Sequence, residues 1–189
     1  MKNLGFDIDD VIFKASEALK EVLDKCDDEE ILQHKLEIMR GEAVTEKIGD
    51  FLKANVVPTI KIAKPMQNAA EVIRKFRRHS NRIILITARG DKRFPGSEII
   101  TWDLLEKYGI ECDAIIFNCV DKVKACKDNN ISVFVDDSPK NCLEVRENLG
   151  IPVIGFESEI NREEMAKNHI RVVSSWDELE EAINKALKN

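Results

Sequence analysis

Short apolar runs alternate with longer amphipathic segments along most of this chain. The runs that predict strands are Leu4-Gly5-Phe6, Ile83–Ile86, Ala114–Phe117, Val133–Val135, Val153–Phe156 and a short sixth at Val172-Val173. Unbroken apolar runs of this kind are typical of strands that are covered on both faces. Strands that alternate with helices predict an α/β fold, in which right-handed crossovers connect the strands of a parallel sheet with helices on both faces.

The helices between these strands are predicted by apolar residues that recur at helical spacing. After residue 66 we expect helices around Ala69–Phe76, over Ser97–Tyr108, Asp121–Asn129 and Ser138–Leu149, and at the end over Trp176–Leu187. Gly109 and Gly150 are stop signals after two of them. Ser175 or Ser174 is the expected cap of the last helix. We also expect Trp102 and Trp176 to lie in the core.

Residues 15–65 have a different pattern, which is charged and helical. The acidic run Asp27-Asp28-Glu29-Glu30 predicts a helix start, because acidic side chains favour the positive end of a helix. Gly41 interrupts the helical pattern, and a further helix is predicted after it by Val44, Ile48, Phe51 and Leu52. We expect the chain to return to the sheet between Pro58 and Pro65. We interpret residues 15–65 as a small helical insertion between two parts of a core, residues 1–14 and 66–189.

Polar side chains interrupt the apolar runs where the predicted strands end. Asp7 and Asp9 follow the first strand, Thr87 follows the second, and Asp136-Asp137 follow the fourth. Lys122 comes shortly after the third. Ligands bind parallel sheets outside the carboxyl ends of the strands, so we expect these side chains to meet at one edge.

Asp7 and Asp9 are separated by one residue, and side chains alternate along a strand. Both carboxylates can therefore leave the strand end on the same side, with Ile8 pointing away. Two carboxylates in a confined site repel each other and are costly to desolvate. A divalent cation removes that cost, and hard oxygen ligands suit Mg²⁺. The expected metal ligands are Asp7, Asp9, Asp136 and Asp137, with Asp136 preferred over Asp137 because it comes first after its strand.

This set of residues suits phosphoryl transfer. Asp7 beside a magnesium ion can attack phosphorus and form an aspartyl-phosphate, while Asp9 protonates the leaving oxygen and later activates water. Thr87 can donate its hydroxyl to a phosphate oxygen, with help from backbone N–H groups such as that of Ala88. Lys122 can hold another phosphate oxygen.

Two assignments stay open from the residues alone. Lys124 is an alternative to Lys122, and we prefer Lys122 because it lies nearer the predicted helix start and strand edge. Arg89 can hold a substrate phosphate, hold an anionic residue of the insertion, or be solvated.

Composition narrows the function classes. The 189 residues are 43% apolar, which suits one domain with a small insertion. With a net charge of −6 the protein has no overall positive potential to attract nucleic acid, so we expect no stable nucleic-acid binding. Five scattered cysteines without a CxxC pair favour reduced thiols in the cytoplasm. The chain runs from Met1 straight into a strand and has no membrane-length apolar run, so we expect neither a signal peptide nor a membrane partner.

The four segments resemble the four motifs of the haloacid dehalogenase superfamily of aspartate-nucleophile phosphatases. Phe6–Val11 matches the DxDx[TV] motif, Ile84–Thr87 the second motif, Lys122 the third, and Val133–Asp137 the fourth. The resemblance implies a Rossmann-like core, Mg²⁺ as the cofactor, and a small helical cap of the C1 type at residues 15–65. Asp7 would be the nucleophile and Asp9 the acid/base.

Within that superfamily the chain looks most like the 5'-nucleotidase group that includes the 5'(3')-deoxyribonucleotidases. The resemblance rests on the compact insertion, Thr87-Ala88-Arg89, Asp136–Asn141 and the tail segments Ile154–Phe156 and Ser175–Leu179. It implies a phosphatase for a small phosphorylated metabolite. A (deoxy)nucleoside monophosphate is the first choice of substrate, and a sugar phosphate or another small phosphorylated metabolite is the alternative. Phe13 and Phe51 are the aromatic residues of the insertion region, so base stacking there has little support.

Other readings of the same residues are less favourable. A phosphoreceiver domain would have its acidic pair before the threonine and lysine, whereas Asp136-Asp137 follows them here. A dehalogenase would lack the second aspartate, Asp9. A binding protein without catalysis would be expected to have lost Asp7, Asp9 or Lys122. The sequence leaves open whether the chain forms a homo-oligomer.

Overall fold

A computed structural model describes residues 1–39, 45–158 and 160–188. In this part of the chain the strands are β1 (Asn3–Phe6), β2 (Arg82–Ile86), β3 (Ala114–Ile116), β4 (Ile131–Asp136), β5 (Val153–Phe156) and β6 (Arg171–Val173). They form one parallel sheet in the order β3-β2-β1-β4-β5-β6. The predicted α/β fold is confirmed, and so is the short sixth strand.

The helices of the described residues are α1 (Ala15–Leu23), α2 (Glu29–Gln33), α3 (Lys35–Met39), α4 (Glu46–Ile62), α5 (Ala69–Arg78), α6 (Ser97–Lys107), α7 (Lys122–Asp128), α8 (Pro139–Leu149), α9 (Arg162–Lys167) and α10 (Trp176–Ala186). The helices predicted after residue 66 are confirmed, whereas α9 was not predicted. Ser175, rather than Ser174, caps α10, because its side chain accepts a hydrogen bond from Glu178 N. None of the described helices has the length and apolar character that a membrane crossing requires.

The register of the sheet positions the predicted site. Phe6, the last residue of β1, pairs with Leu85 on one side and with Val135 on the other. Asp7 and Asp136 therefore emerge together at the carboxyl edge, level with Ile86, and Thr87 follows directly after Ile86. The sequence order also reverses at β1, with β2 on one flank and β4 on the other, which is where parallel sheets form a ligand crevice.

Apolar side chains cover the sheet on both faces. On one face Leu4, Phe6 and Leu85 pack with residues of α5, α6 and α10. On the other face Ile84, Phe134 and neighbouring residues pack with α7 and α8. This two-sided burial explains why the strands read as continuous apolar runs.

The two tryptophans have different environments. Trp176 is buried, stacks on Phe6 with ring centroids 5.5 Å apart, and donates its indole N–H to Val11 O at 2.8 Å. Trp102 is 48% exposed, so the expectation that it lies in the core is wrong. The reason is that α6 carries apolar residues around its whole circumference: Leu104 and Leu105 face the core, while Trp102 and Ile99 lie on the outer side.

Helices α1 to α4 lie between β1 and α5 in the chain and have a small apolar cluster of their own. Its buried members are Leu23, Ile31, Ile38 and Ile48. The predicted helix start is confirmed, since Asp28 caps α2 by accepting from the backbone N–H groups of Glu30 and Ile31. Gly41 and Val44 lie outside the described residues.

The expectation that the return to the sheet starts at Pro58 is wrong. Helix α4 continues through Pro58 to Ile62, and the chain becomes extended only at Ala63. Proline removes one helical hydrogen bond, but the last turn stays in place because Ile60 is buried against the core cluster. The boundaries of the insertion at residues 15 and 65 stay a prediction.

Candidate active site

The loop after β1 holds Asp7 in a fixed position. Asp7 is buried, and its backbone N–H donates to Val135 O at 2.9 Å, which ties it to β4. Its Oδ2 accepts from the backbone N–H of Asp9 at 2.9 Å. The chain then turns through Asp10 with a φ of 53°. The Asp10 carboxylate accepts from the backbone and the hydroxyl of Ser16, at 2.9 and 2.5 Å, and so ties this loop to α1.

Lys122 brings a positive charge to Asp7 from the start of α7. The Lys122 side chain is 4% exposed, and its Nζ donates to Asp7 Oδ1 and to Ile86 O. The same atom lies 3.8 Å from Asp136 Oδ2. Lys124 points away, is mostly exposed and pairs with Asp128. The structure thus brings Lys122 to the site and leaves Lys124 outside it.

Thr87 follows β2 and is fully buried. Its backbone N–H donates to Ile116 O at 3.0 Å, and its carbonyl accepts from Cys119 N at 2.9 Å, so it is held against the segment after β3. Its Oγ1 accepts from the backbone N–H of Arg89 at 3.1 Å. That bond uses a lone pair of the hydroxyl oxygen, and among the described residues the Thr87 hydroxyl proton has no acceptor. Ala88 beside it is exposed at the site.

Asp136 is fully buried at the end of β4. It accepts from Ser138 N at 2.8 Å, and Asn141 Nδ2 lies 3.1 Å from both of its oxygens. Asp137 is partly exposed, and its carbonyl accepts from Asn161 Nδ2 at 2.6 Å. The sequence reasoning missed Asn161, which also donates to Phe156 O at 2.9 Å and so ties the loop after β4 to the end of β5.

Burial is the main cause of the pKa shifts of the carboxylates in this cluster. Burial, with the Asp7 charge adding to it, raises the pKa of Asp136 to about 7. Burial and the neighbouring Asp136 charge hold the pKa of Asp137 well above its usual range. Burial also raises the pKa of Asp7, although Lys122 opposes the shift. Burial alone would lower the pKa of Lys122, but the charges of Asp7 and Asp136 raise it above its usual value.

The donor set fits a hard divalent cation. Asp7, Asp136 and Asp137 are oxygen donors that destabilise one another when ionised, and one lysine does not balance three carboxylates. Among the described residues, no three His, Cys, Asp or Glu side chains already stand in a metal-binding arrangement. Asp9 directs its carboxylate to Arg89, so its role as a metal ligand stays a prediction.

Arg89 is the buried partner of Asp9. Its Nε lies 3.0 and 3.1 Å from the two carboxylate oxygens, and its Nη2 lies 2.6 Å from Oδ1. Its Nη1 donates to Thr101 Oγ1 at 3.2 Å. Substrate contact by Arg89 stays a prediction. The sequence reasoning missed Thr101, and no local pattern around it on α6 marks it.

A cavity of about 280 Å³ opens beside Asp9, between the site and the insertion. Its walls are mostly apolar. They are formed from α1 and α4 by Ala15, Ser16, Leu19, Leu52, Val56, Thr59 and Ile60, and from the core by Asp9, Asp10, Ala88, Arg89 and Phe94. The cavity therefore lies next to the predicted site, with Asp9, Ala88 and Arg89 on its wall.

Comparisons with known proteins bear on the fold of the chain. No protein-family model matches the chain. A Bacillus subtilis (strain 168) protein named "Putative nucleotidase YqfW" is 29% identical over 140 residues, which are 74% of this chain and 69% of that protein.

Solved structures match nearly the whole chain at low identity. A haloacid dehalogenase-like protein from Agrobacterium tumefaciens has a TM-score of 0.64 at 13% identity and covers 100% of both chains. A HAD family hydrolase from Deinococcus radiodurans, with bound phosphate and sodium, has a TM-score of 0.66 at 13% identity and covers 98% of this chain and 96% of its own. A predicted phosphatase from Clostridium acetobutylicum has a TM-score of 0.66 at 16% identity, with 97% and 98% covered. The chain therefore has the fold of the haloacid dehalogenase superfamily, the superfamily that its four motifs resemble.

Proposed function

We propose that this protein is a Mg²⁺-dependent phosphomonoester hydrolase that acts through an aspartyl-phosphate on Asp7. The observation that carries the proposal is the position of the Asp7 carboxylate. It is held between Lys122 and the backbone N–H of Asp9, at the strand edge where Thr87 and Asp136 also emerge. A carboxylate in this setting is a fixed nucleophile with a cation beside it.

In the first half of the proposed reaction a carboxylate oxygen of Asp7 attacks phosphorus. A new O–P bond forms, the ester P–O bond breaks, and Asp9 gives its proton to the leaving alcohol oxygen. In the second half a water molecule attacks the same phosphorus and gives a proton to Asp9. The O–P bond to Asp7 breaks, which releases phosphate and restores both aspartates.

The remaining residues hold the phosphoryl group. Thr87 donates its hydroxyl, the backbone at Ala88 donates an N–H, and Lys122 donates from Nζ. Asp7, Asp136 and Asp137 would hold the magnesium ion, which when bound neutralises the repulsion between nucleophile and phosphate. Lys122 lies within reach of both Asp7 and Asp136, so one residue serves the nucleophile and the metal site.

We further propose a nucleoside monophosphate as the substrate. Neither Phe13, which is buried, nor Phe51, which packs in the apolar cluster of α1 to α4, lines the cavity. The core supplies the aromatic residue instead, as Phe94 lines the cavity and Arg93 lies over its ring at 5.1 Å. Mostly apolar walls suit the flat face of a base better than a hydroxyl-rich sugar, whose polar groups would lose hydrogen bonds there. The relative named as a nucleotidase supports the same choice.

In this proposal the insertion is a cap that covers the site. Residues of α1 and α4 line one side of the cavity, and the site lines the other. Closure of the insertion over a bound substrate would exclude water from the phosphoryl group, as lids do in other enzymes.

Phosphate release with Mg²⁺ tests the function. The panel comprises nucleoside and deoxynucleoside monophosphates, sugar phosphates and an aryl phosphate, with Asp7→Asn as the blank. Preferential release from nucleoside monophosphates is the expected result. Release from the aryl phosphate with a preference for sugar phosphates would keep the chemistry and remove the nucleotide assignment. No release from any ester would contradict the proposed function.

A further inference from the structure

The guanidinium of Arg89 and the hydroxyl of Thr101 form a buried chain that ends on Asp9. We propose that Arg89 and Thr101 are positioning residues, which fix the Asp9 carboxylate for proton transfer from the attacking water. This inference rests on the proposed function, because it assigns a step of that reaction to Asp9.

The Arg89–Asp9 contact is asymmetric in burial. The Arg89 side chain is 3% exposed, whereas the Asp9 side chain is 41% exposed and lines the cavity. Two guanidinium nitrogens contact the carboxylate, at 2.6 to 3.1 Å. A planar guanidinium that binds both oxygens fixes the plane of the carboxylate as well as its distance. Arg89 thus contacts the buried side of the Asp9 carboxylate and leaves its other side open to the cavity.

Thr101 fixes Arg89 in turn. Its Oγ1 donates to Ser97 O at 2.8 Å and accepts from Arg89 Nη1 at 3.2 Å, and the residue is fully buried. A hydroxyl has one proton to donate. Because that proton goes to Ser97 O, the oxygen is left as an acceptor for Arg89. Helix α6 therefore anchors the guanidinium.

In the described part of the chain, Arg89 is the side chain that donates hydrogen bonds to the Asp9 carboxylate, and no other does so. Asp9 also lies in the loop after β1 rather than in the strand. Loss of the hydrogen bonds that link Thr101, Arg89 and Asp9 would let the Asp9 carboxylate turn while its backbone stays in place.

The leaving group of the substrate decides which half of the reaction depends most on the position of Asp9. In the second half Asp9 takes a proton from the attacking water, whatever the substrate. An aryl phosphate has a good leaving group that needs little protonation in the first half. With such a substrate, mispositioning of Asp9 slows mainly hydrolysis of the aspartyl-phosphate.

The test uses p-nitrophenyl phosphate, Mg²⁺ and the full chain, and it compares Thr101→Val with Thr101→Ser. Valine keeps the shape and removes the hydroxyl, while serine keeps the hydroxyl. We expect kcat to fall about fivefold in Thr101→Val, the factor that one ordinary hydrogen bond contributes, with kcat/KM nearly unchanged. A pre-steady-state burst of nitrophenolate should appear as the intermediate accumulates. Thr101→Ser should behave as wild type.

Arg89→Lys provides the second variant and decides the case if valine at position 101 prevents folding. Lysine keeps the charge but cannot bind both oxygens through a planar fork. We expect its kcat to fall more than tenfold, again with a burst. A wild-type chain that releases no nitrophenolate would contradict the proposed function itself. If the wild type is active but the variants lose kcat and kcat/KM equally and show no burst, the positioning role alone is overturned. A Thr101→Ser protein that is as impaired as Thr101→Val would also overturn it.

Discussion

Lys122 Nζ donates a hydrogen bond to Asp7 Oδ1, although the two residues are 115 positions apart in the chain. The contact joins the first turn of α7 to the end of β1, across β2 and β3 in sequence. Among the described residues, Lys122 is the cation that contacts Asp7, the proposed nucleophile. Asp136, at 3.8 Å from the same nitrogen, is the second carboxylate that this lysine serves.

Lys122→Met should destabilise the metal-free protein at pH 8. Methionine fills the space but leaves the buried Asp7 and Asp136 carboxylates without their cation. Removal of one partner of a buried pair costs about 3–5 kcal/mol, and protonation of a carboxylate would reduce this loss. The free energy of unfolding in urea measures it. Lys124→Met is the matched control, because an exposed ion pair such as that of Lys124 with Asp128 should contribute little to stability. Equal stability of the two variants would contradict the buried pairing.

The metal-free protein should lose stability as the pH rises from about 4 to about 7. The pKa of Asp136 is raised from 3.8 to about 7, so the folded chain keeps a proton that the unfolded chain has lost. The stabilising contribution is therefore complete below pH 3.8 and disappears as the pH passes 7. Urea midpoints measured in a chelator across this range test the slope. Asp136→Asn should flatten it, and an unchanged slope in that variant would place the titrating group elsewhere.

Magnesium should raise the melting temperature of the wild-type protein at pH 7.5. A ligand that binds the folded state stabilises it by mass action, and here it would also relieve the repulsion among Asp7, Asp136 and Asp137. Asp136→Asn should lose most of this shift. Asp128→Asn, which changes an exposed carboxylate on α7, should keep it. A shift that is the same in wild type and Asp136→Asn would mean that the ion binds at another place.

Val56→Phe should lower kcat/KM for nucleoside monophosphates about tenfold, because a benzyl group at this position occupies part of the cavity. Esters of short alcohols should be affected much less. Ile62→Phe lies on the same helix, outside the cavity walls and partly exposed, and is the control. Equal losses for large and small esters would indicate that the cavity does not hold the leaving group.

The sequence predicted those features that have a local signature. Continuous apolar runs identified the strands, and the ends of those runs identified Asp7, Thr87 and Asp136. Parallel topology then brought them to one edge, as the register of β1 with β2 and β4 bears out. Nearness to the start of α7 was also enough to favour Lys122 over Lys124 as the lysine at this edge.

Features that depend on tertiary partners were missed or misjudged. Pro58 has the local signature of a break, but packing of the neighbouring Ile60 holds the last turn of α4. Trp102 has the spacing of a core residue, yet only one side of α6 meets the core. Arg89 could be assigned to several partners until the structure showed Asp9 in front of it and Thr101 behind. No periodicity in a sequence reports which distant side chain lies opposite another.

Covalent labelling tests whether Asp7 is the nucleophile. The Asp9→Asn protein is mixed with Mg²⁺ and p-nitrophenyl phosphate that carries a labelled phosphate. This leaving group needs little protonation, so Asp9→Asn should still transfer the phosphoryl group but release it slowly. The mixture is quenched in acid and digested at low pH. We expect a phosphoryl group on Asp7, identified by fragmentation of the peptide, and no label in a chain with Asp7→Asn. A label on another residue, or wild-type phosphate release by Asp7→Asn, would contradict it.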